Sequence, residues 1–179
     1  MSAIKPKEQM EVFTIGPAGN RISTGQYANR GTQVGEGFYV VGVNNWIINK
    51  DGKVLVQKRS KHKKDNPGKW SSTNGLKVPG EESIDTVIRE TYEELGIVLE
   101  PTNIKYLDSR VAGKSLIVDI FISQADIDIN QIKIQEEEVE RFRFVTREEL
   151  LDLDISTTCQ YIKEIIDLLF SPVSEKNKN

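Results

Sequence analysis

The sequence is poor in several residue types, and each shortage excludes a class of protein. A single cysteine, Cys159, cannot form an internal disulfide, so nothing here indicates an oxidising compartment. No apolar run approaches the roughly 18 residues of a membrane-spanning helix, and the first residues lack the apolar segment of a signal peptide. The net charge of -3 does not favour nucleic acid as a partner. We therefore expect a cytoplasmic protein that binds neither membranes nor nucleic acid.

The remaining composition is that of an ordinary globular domain. The chain has 179 residues, of which 37% are hydrophobic and 28% are charged, so it is long enough to bury a core. We predict that residues 1–35 form an N-terminal extension with short strands and that residues 36–172 form the main domain. The polar residues 173–179 are predicted to be a disordered tail.

The segment 75–97, GLKVPGEESIDTVIRETYEELGI, is the most informative part of the chain. In a helix, positions three and four residues apart share a face, so Glu90, Glu93 and Glu94 are predicted to project to one side. Carboxylates held this close repel one another, and hard divalent cations such as Mg²⁺ take oxygen ligands of this kind. The alternative is an acidic face that only meets solvent, as on many glutamate-rich helices.

The opposite face of the same helix is predicted to pack into a core. Its side chains recur at helical spacing, and they are Ile84, Val87, Ile88, Thr91 and Leu95. Ser83 is predicted to be the N-cap, and Gly96 fits the left-handed position that ends a helix. Acidic residues late in a helix oppose its dipole, so the cluster costs stability and indicates a function.

The segment also resembles the Nudix box, a pattern written G-x5-E-x7-R-E-U-x-E-E-x-G-U in which U is a bulky aliphatic residue. The matching positions are Gly75, Glu81, Arg89, Glu90, Glu93, Glu94, Gly96 and Ile97. One position departs from the pattern, because Thr91 stands where the first aliphatic residue is expected. Threonine can still turn its methyl group to the core, so we expect a small packing cost and unchanged chemistry.

The resemblance implies an α/β fold, namely a Nudix-type α/β/α sandwich with a mixed central sheet and the box as a loop-helix-loop. It implies a Mg²⁺-dependent hydrolase, with Mn²⁺ as the alternative metal, that cleaves the diphosphate linkage of a nucleoside diphosphate derivative. The products would be a nucleoside monophosphate and the phosphorylated remainder of the substrate. Many members of this family form homodimers, and the N-terminal strands could provide that contact.

The resemblance also implies roles for individual positions. The implied metal ligands are Glu90, Glu93, Glu94 and a backbone carbonyl at Gly75 or Leu76. Glu81 is expected to support the site, and Arg89 is expected to hold a glutamate by an ion pair. The residues with an expected catalytic role are Glu93, Glu90, Arg89 and Glu138.

The candidates outside the box depend on their place in the chain. Arg59 ends a predicted strand that leads to the site, and with Lys58 it is a candidate for binding substrate phosphates. Trp70 borders the box and could contact the substrate or pack in the core. Glu138, and after it Glu137, is a candidate metal ligand or general base. For each charged residue the alternative is a solvated side chain.

Hydrophobic patterning predicts the other elements of the fold. A hairpin is predicted within residues 11–31, and further strands are predicted at 38–48, 54–59, 104–111, 115–122 and 141–145. Helices are predicted to begin near residue 147 and to span 161–170. Strands before and after a central helix indicate a mixed sheet between helices.

The segment 57–82 also resembles the isopentenyl-diphosphate isomerase branch of the same family. Those isomerases need a cysteine and histidine metal ligands near the box. Here Asn74 stands in the cysteine position and Leu76 stands where a histidine would follow, so we expect a hydrolase with an isomerase-like outline. The third alternative is a non-catalytic module that senses a nucleotide, and the complete set of box glutamates argues against it.

Overall fold

The N-terminal strands form a small sheet that is attached to the main domain. The computed structural model describes residues 9–170, so the first eight residues and the predicted tail lie outside the described range. Strands β1 (Gln9–Ile15) and β2 (Arg21–Asn29) pair antiparallel, as the pattern of residues 11–31 predicts. Two backbone hydrogen bonds of 2.8 Å join Phe13 of β1 to Tyr39, which directly precedes the main sheet.

A mixed sheet of seven strands forms the centre of residues 9–170. Its strands are β3 (Val40–Ile48), β4 (Val54–Arg59), β5 (Trp70–Ser71), β6 (Thr73–Leu76), β7 (Ile104–Ala112), β8 (Leu116–Gln124) and β9 (Val139–Val145). The main path runs β5-β4-β3-β8-β7, with β6 paired to β3 and β9 paired to β4. Strands β3 and β8 are parallel and the other pairs are antiparallel, which confirms the predicted mixed sheet.

The sheet opens between β3 and β4. These two strands pair only next to their connecting turn, at Ile47 with Leu55 and Ile48 with Val54. Farther along, β6 pairs with β3 while β5 and β9 pair with β4. The start of β3 and the end of β4 are therefore not hydrogen-bonded to each other, because residues 70–76 lie between them. Val40 and Arg59, at these two strand ends, line the cavity described below.

Helices cover both faces of the sheet. Within the described residues the α-helices are α1 (Ser83–Leu95), α2 (Arg147–Leu151) and α3 (Ile162–Phe170). The core beneath α1 includes Val43, Ile47, Leu55, Val87, Leu95 and Phe121. The core beneath α3 includes Trp46, Val54, Val56, Ile120, Ile162, Ile165 and Leu169. This arrangement confirms the α/β/α sandwich. No helix of residues 9–170 has the length and apolar character needed to cross a membrane.

The two ends of α1 differ in how well the sequence predicts them. Gly96 has a φ of 69° and ends the helix as expected. The predicted N-cap is wrong, because Glu82 occupies that position and Ser83 is already helical. The backbone N–H of Glu82 donates to the Asp85 carboxylate at 2.9 Å. The Ser83 hydroxyl instead donates to the buried Asp119 of β8 at 2.6 Å, so a tertiary contact replaces the expected local one.

Strands β5 and β6 are absent from the sequence prediction. They have two and four residues, too few to show an alternating pattern, and they form because β4 and β3 offer them free edges. Gly75 and Leu76 therefore belong to a strand, and the loop part of the box is confined to residues 77–82.

Candidate active site

An open cavity of about 840 Å³ lies at the end of the sheet where β4 and β7 end and where β3 and β8 begin. Its volume is typical of small-molecule sites. The structure brings most of the predicted site residues to this cavity, and those that line it are Arg59, Gly75, Leu76, Arg89, Glu90, Glu93, Glu94 and Glu138. Glu81 lies directly behind it and contacts Arg89.

Helix α1 presents its glutamates to the cavity because its other face is anchored. Val87, Thr91 and Leu95 are buried beneath the helix. The side chains on the opposite side of the helix therefore point away from this core. Glu90 and Glu93 are partly buried, whereas Glu94 is buried. The three carboxylates therefore share one wall, as helical spacing predicts, with Glu93 the most exposed and Glu94 the most buried.

Arg89 links the carboxylates to the loop before the helix. Its Nε and Nη2 donate to the two oxygens of Glu81 at 2.7 and 2.9 Å, and its Nη1 donates to Glu90 at 2.6 Å. Nη2 also donates to the carbonyl oxygen of Leu76 at 3.2 Å. Burial raises the pKa of Glu81, but hydrogen bonds from Arg89 and Thr86 outweigh it and leave that pKa below its ordinary value. Arg89 and Glu81 thus form a rigid charged support under Glu90.

Position 75 has to be glycine, because the Glu90 side chain lies directly against its backbone. A Cβ added at Gly75 would lie 2.0 Å from the Cδ atom of Glu90, well inside van der Waals contact. The carboxylate therefore packs directly over the backbone of β6. Burial raises the pKa of Glu90, and the negative charge of Glu93 adds to that effect although Arg89 opposes it.

Glu94 is the most deeply placed carboxylate of the cavity. Gln57 Nε2 donates to its Oε2 at 2.7 Å and the backbone N–H of Asn74 donates to the same oxygen at 3.3 Å. Burial raises the pKa of Glu94 to about 8, with further contributions from the charges of Glu90 and Glu138, so these two hydrogen bonds do not offset the cost of ionisation. A cation beside Glu94 would offset that cost.

The raised pKa of Glu94 predicts how the stability of the metal-free protein depends on pH. The folded state keeps a proton that the unfolded chain releases near the ordinary pKa of 4.5. This contribution to stability is therefore fully present below about 4.5 and is lost as the pH rises through about 8. We expect the free energy of unfolding in EDTA, measured with urea, to fall from pH 5 to pH 9. The decline should be smaller in Glu94→Gln, and an equal decline would contradict the assignment.

The donor set fits a hard divalent cation, although the carboxylates are not yet gathered around one point. Within residues 9–170 no three His, Cys, Asp or Glu side chains form a ready metal cage. The reason is that Glu90 is turned to Arg89 and Glu94 is turned to Gln57. Oxygen donors from α1 and the backbone of Gly75 nevertheless line one wall, and two of these carboxylates are buried enough to resist ionisation. Carboxylate and carbonyl oxygens of this kind are the ligands that hard divalent cations prefer.

Basic residues line the same cavity. Arg59 lines it together with His62, Lys63 and Lys64 of the following loop. The Arg59 guanidinium donates to the carbonyl oxygen of Asp65 at 3.1 Å and is thereby held at the cavity. Cations and carboxylates that line one cavity match a ligand that carries both phosphate groups and a bound metal.

Glu138 approaches the cavity from the turn before β9. It lines the cavity, whereas Glu137 is exposed and does not. The Nζ atom of Lys63 contacts the Glu138 carboxylate. Its position at the cavity therefore favours Glu138 over Glu137 as the candidate metal ligand or general base outside the box.

The structure corrects the other two substrate-binding candidates. Side chains alternate along β4, so Arg59 and Lys58 point to opposite faces of the sheet. Lys58 pairs with Glu140 at 3.6 Å and is not part of the cavity wall. Trp70 is buried in the core beneath α3, with the Arg143 guanidinium 5.0 Å from its ring. Neither Lys58 nor Trp70 is therefore placed to bind a ligand in this cavity.

Sequence reasoning missed two segments of the wall. Residues 30–33, which follow β2, and the β7–β8 turn with Lys114 and Ser115 also line the cavity. The positive charge of Arg30 acts on the Glu90 carboxylate. The β7–β8 turn meets the segment after β2 where the Ser115 hydroxyl donates to the Val34 carbonyl at 3.4 Å, and it meets β3 where the backbone N–H of Val40 donates to the Ser115 carbonyl at 2.9 Å. No local pattern identifies them, since only strand pairing brings them to the site.

The positions that distinguish isomerases hold unreactive side chains. Asn74 lines the cavity, where its Nδ2 donates to the Ser72 carbonyl at 2.9 Å and to the Ser71 hydroxyl at 3.2 Å. Its side chain is thus fixed by local hydrogen bonds and has no thiol for proton transfer. Leu76 next to it cannot act as a metal ligand through its side chain.

A family model and several known proteins that resemble this chain point to the same family. The family model described as NUDIX domain matches residues 38–165. A Nudix hydrolase of Listeria monocytogenes is 34% identical over 134 residues, which cover 73% of this chain and 78% of the relative. An isopentenyl-diphosphate Delta-isomerase of Shigella flexneri is 32% identical over 90 residues, or 50% of each chain.

Solved structures share the fold. A crystal structure of DR0079 from Deinococcus radiodurans has a TM-score of 0.68 and 17% identity, and the match covers 91% of this chain and 99% of that one. The NUDIX domain of Shewanella oneidensis NrtR, solved in complex with ADP ribose, has a TM-score of 0.61 and 17% identity, with coverage of 80% and 94%.

Proposed function

The chain belongs to the Nudix family and is a pyrophosphohydrolase, and from this premise we propose that it uses Mg²⁺ to cleave the diphosphate linkage of a nucleoside diphosphate derivative. The products are a nucleoside monophosphate and the phosphorylated remainder of the substrate. The observation that carries the proposal is the cavity itself, which is lined by the box glutamates together with basic side chains.

The acidic wall supplies the metal site of this proposal. Glu90, Glu93 and Glu94 would hold Mg²⁺ or Mn²⁺, with the backbone at Gly75 as a further oxygen source. When bound, the divalent ion neutralises phosphate oxygens and polarises the bond to be cut. Arg89 and Glu81 keep Glu90 close to this position through the ion pairs that they form.

The other residues bind the substrate and handle the proton. Arg59, Lys63 and Lys64 offset the charge of the diphosphate and orient it along the cavity. A water molecule attacks one phosphorus, the P–O bond to the leaving phosphate breaks, and a carboxylate accepts the proton of the water. Glu138 is the first candidate for this base and Glu93 is the second, because both line the cavity.

A nucleoside derivative is the substrate class that the size of the cavity supports. A volume of about 840 Å³ exceeds what a bare diphosphate needs. The structural neighbour from Shewanella oneidensis contains ADP ribose, a molecule of this class. The predicted cytoplasmic location and the predicted homodimer stay predictions.

Two other functions are compatible with the family. The isomerase relative suggests a prenyl diphosphate substrate, but Asn74 and Leu76 replace the residues that isomerisation requires. A nucleotide sensor would keep the fold without turnover, but it has no need of a complete glutamate set. Conversion of isopentenyl diphosphate to its isomer would support the first alternative, and binding without turnover would support the second.

The metal requirement can be tested with a panel of diphosphate compounds. We expect release of phosphorylated products from at least one compound in Mg²⁺, and a loss of at least about 10²-fold in EDTA, because the basic side chains of the cavity do not supply the Lewis acidity of a divalent ion. Adding Mg²⁺ back in excess of EDTA should restore the rate. Turnover that persists in EDTA would contradict the metal mechanism.

A further inference from the structure

The N-terminal sheet contacts the loop that precedes the glutamate helix. Met10 and Val12 of β1 are each at most 5% exposed, so this strand has a buried face. Lys77, the first residue of the loop 77–82, places its Nζ atom 5.4 Å from the centre of the Phe13 ring, which is a cation–π contact. The N-terminal extension is therefore attached to the box itself as well as to the central sheet.

A buried carboxylate joins the same sheet to the first turn of α1. Asp119 of β8 is 1% exposed, and Arg21 at the start of β2 donates from Nη1 to its Oδ2 at 2.8 Å. The hydroxyl of Ser83, the first residue of α1, donates to the same oxygen at 2.6 Å. Because a buried charge needs partners, these contacts fix the N-terminal sheet relative to the glutamate helix.

The chain makes a tight turn directly after β2, with Arg30 and Gly31 at its centre. The backbone N–H of Thr32 donates to the Asn29 carbonyl at 2.9 Å and closes the turn. Gly31 has a φ of 85°, a conformation that glycine adopts without strain. The backbone at Arg30 is thus held in place by local structure.

The segment after this turn runs beside the β7–β8 turn. The Ser115 hydroxyl donates to the Val34 carbonyl at 3.4 Å, which joins the two segments. Lys114 of the β7–β8 turn lines the cavity, as does Arg30. Two cations therefore enter the cavity from adjoining segments, neither of which belongs to the loop that follows β4.

Arg30 is exposed at the cavity and close enough to the carboxylates for its charge to act on Glu90. Glu90 already accepts a hydrogen bond of 2.6 Å from Arg89, so the carboxylate has a cationic partner without Arg30. A divalent ion bound at Glu90 would repel the Arg30 guanidinium, because both are positive. A phosphate group on that ion would attract it, and a guanidinium can donate two parallel hydrogen bonds to phosphate oxygens.

We propose that the N-terminal sheet is a fixed wall of the active site, and that Arg30 binds a phosphate group of the substrate beside the metal. Lys114 adds a second positive charge to this subsite. The N-terminal extension thereby takes part in substrate binding, in addition to the basic residues that follow β4. This inference rests on the proposed function, since the phosphate belongs to the substrate of that reaction.

Two binding measurements on the full chain separate this role from support of the metal. The probes are inorganic pyrophosphate in excess Mg²⁺, measured by isothermal titration calorimetry, and Mn²⁺ alone, measured by electron paramagnetic resonance. We expect Arg30→Gln to weaken pyrophosphate binding about 10-fold, the effect of losing one charge-assisted hydrogen bond. Its Mn²⁺ affinity should equal or exceed that of the wild type, because a cation near Glu90 has been removed. Arg30 is exposed, so the variant is expected to fold.

Two further variants serve as controls. Arg30→Lys keeps the positive charge without the paired donors, so it should lose less pyrophosphate affinity than Arg30→Gln. Arg147→Gln removes an arginine that pairs with Asp167 at 2.6 Å and does not line the cavity. It should bind both probes as the wild type does.

Each outcome bears on one conclusion. Equal pyrophosphate affinity in the wild type and Arg30→Gln would overturn the role of Arg30, as would a wild type that binds no pyrophosphate. Weaker Mn²⁺ binding in Arg30→Gln would show that Arg30 supports the carboxylates instead. A wild type that binds both probes but cleaves no compound of the panel would refute the proposed hydrolysis, and the pyrophosphate affinities would still decide on Arg30.

Discussion

Glu94→Gln is expected to lower the hydrolysis rate by at least about 10²-fold while the metal-free protein keeps its fold. Loss of a residue that only supports a metal ligand lowers metal affinity or activity by roughly 10–100-fold, and loss of a ligand itself should lower them further. The substitution keeps the size of the side chain and lets Gln57 still donate to an oxygen at position 94. The rate loss would therefore report charge and ligation, and not a change of shape.

The same variant should be more stable than the wild type without metal. Glu94 is buried and its pKa is raised to about 8, so at neutral pH the folded state bears the cost of holding a proton that the unfolded chain has released. A neutral glutamine removes this cost, and we expect the free energy of unfolding in EDTA to rise by about 1–3 kcal/mol at pH 8. Urea unfolding at pH 8 measures the change.

Glu137→Gln is the matched control for Glu94→Gln. It removes one negative charge from an exposed side chain that does not line the cavity. Both its activity and its stability should stay close to those of the wild type. If Glu94→Gln lost stability sharply in EDTA, the glutamate would be a structural residue and the assignment of the metal site would fail.

Gly75→Ala is expected to lower the hydrolysis rate about as much as Glu94→Gln does, because the added methyl group collides with Glu90. The added methyl group would stand 2.0 Å from the Glu90 carboxyl carbon, so either the carboxylate or strand β6 must move. Movement of Glu90 breaks its ion pair with Arg89 and displaces a proposed metal ligand. We expect a rate loss of at least about 10²-fold and a stability loss of about 1–3 kcal/mol, as for other overpacked sites.

Gly35→Ala separates this steric effect from the general effect of replacing glycine. A Cβ at Gly35 would meet only a Phe38 ring carbon at 3.6 Å, which is ordinary contact. Its activity should match the wild type, and its stability should differ by less than about 1 kcal/mol. Full activity of Gly75→Ala would contradict the close packing between β6 and Glu90. Mn²⁺ affinity, measured for both variants, shows whether the rate loss follows the loss of metal.

The parts of the site that lie on one continuous element were predictable. The spacing of Glu90, Glu93 and Glu94 follows from helical geometry, and Gly96 ends the helix as its position indicates. Arg59 was favoured over Lys58 because it ends its strand, and the structure places Arg59 at the cavity. The strands of long, apolar pattern were also predicted near their observed bounds, as with β4.

The parts that depend on distant contacts were not predictable. Ser83 looks like an N-cap, but its hydroxyl bonds to Asp119, 36 residues away. Trp70 borders the box in sequence, yet β5 turns it into the core on the other face of the sheet. Arg30 reaches the cavity only because the N-terminal hairpin and the β7–β8 turn meet at the start of β3.

By itself the sequence determined the family, the layered fold and the helix face that carries the carboxylates, because these depend on local periodicity and on fixed spacing within one segment. The tertiary structure alone decided how deeply each carboxylate is buried, which basic side chains share their cavity, and that Gln57 donates a hydrogen bond to Glu94. The physical reason is that burial, and with it the pKa of Glu94, depends on strand pairing between segments far apart in the chain.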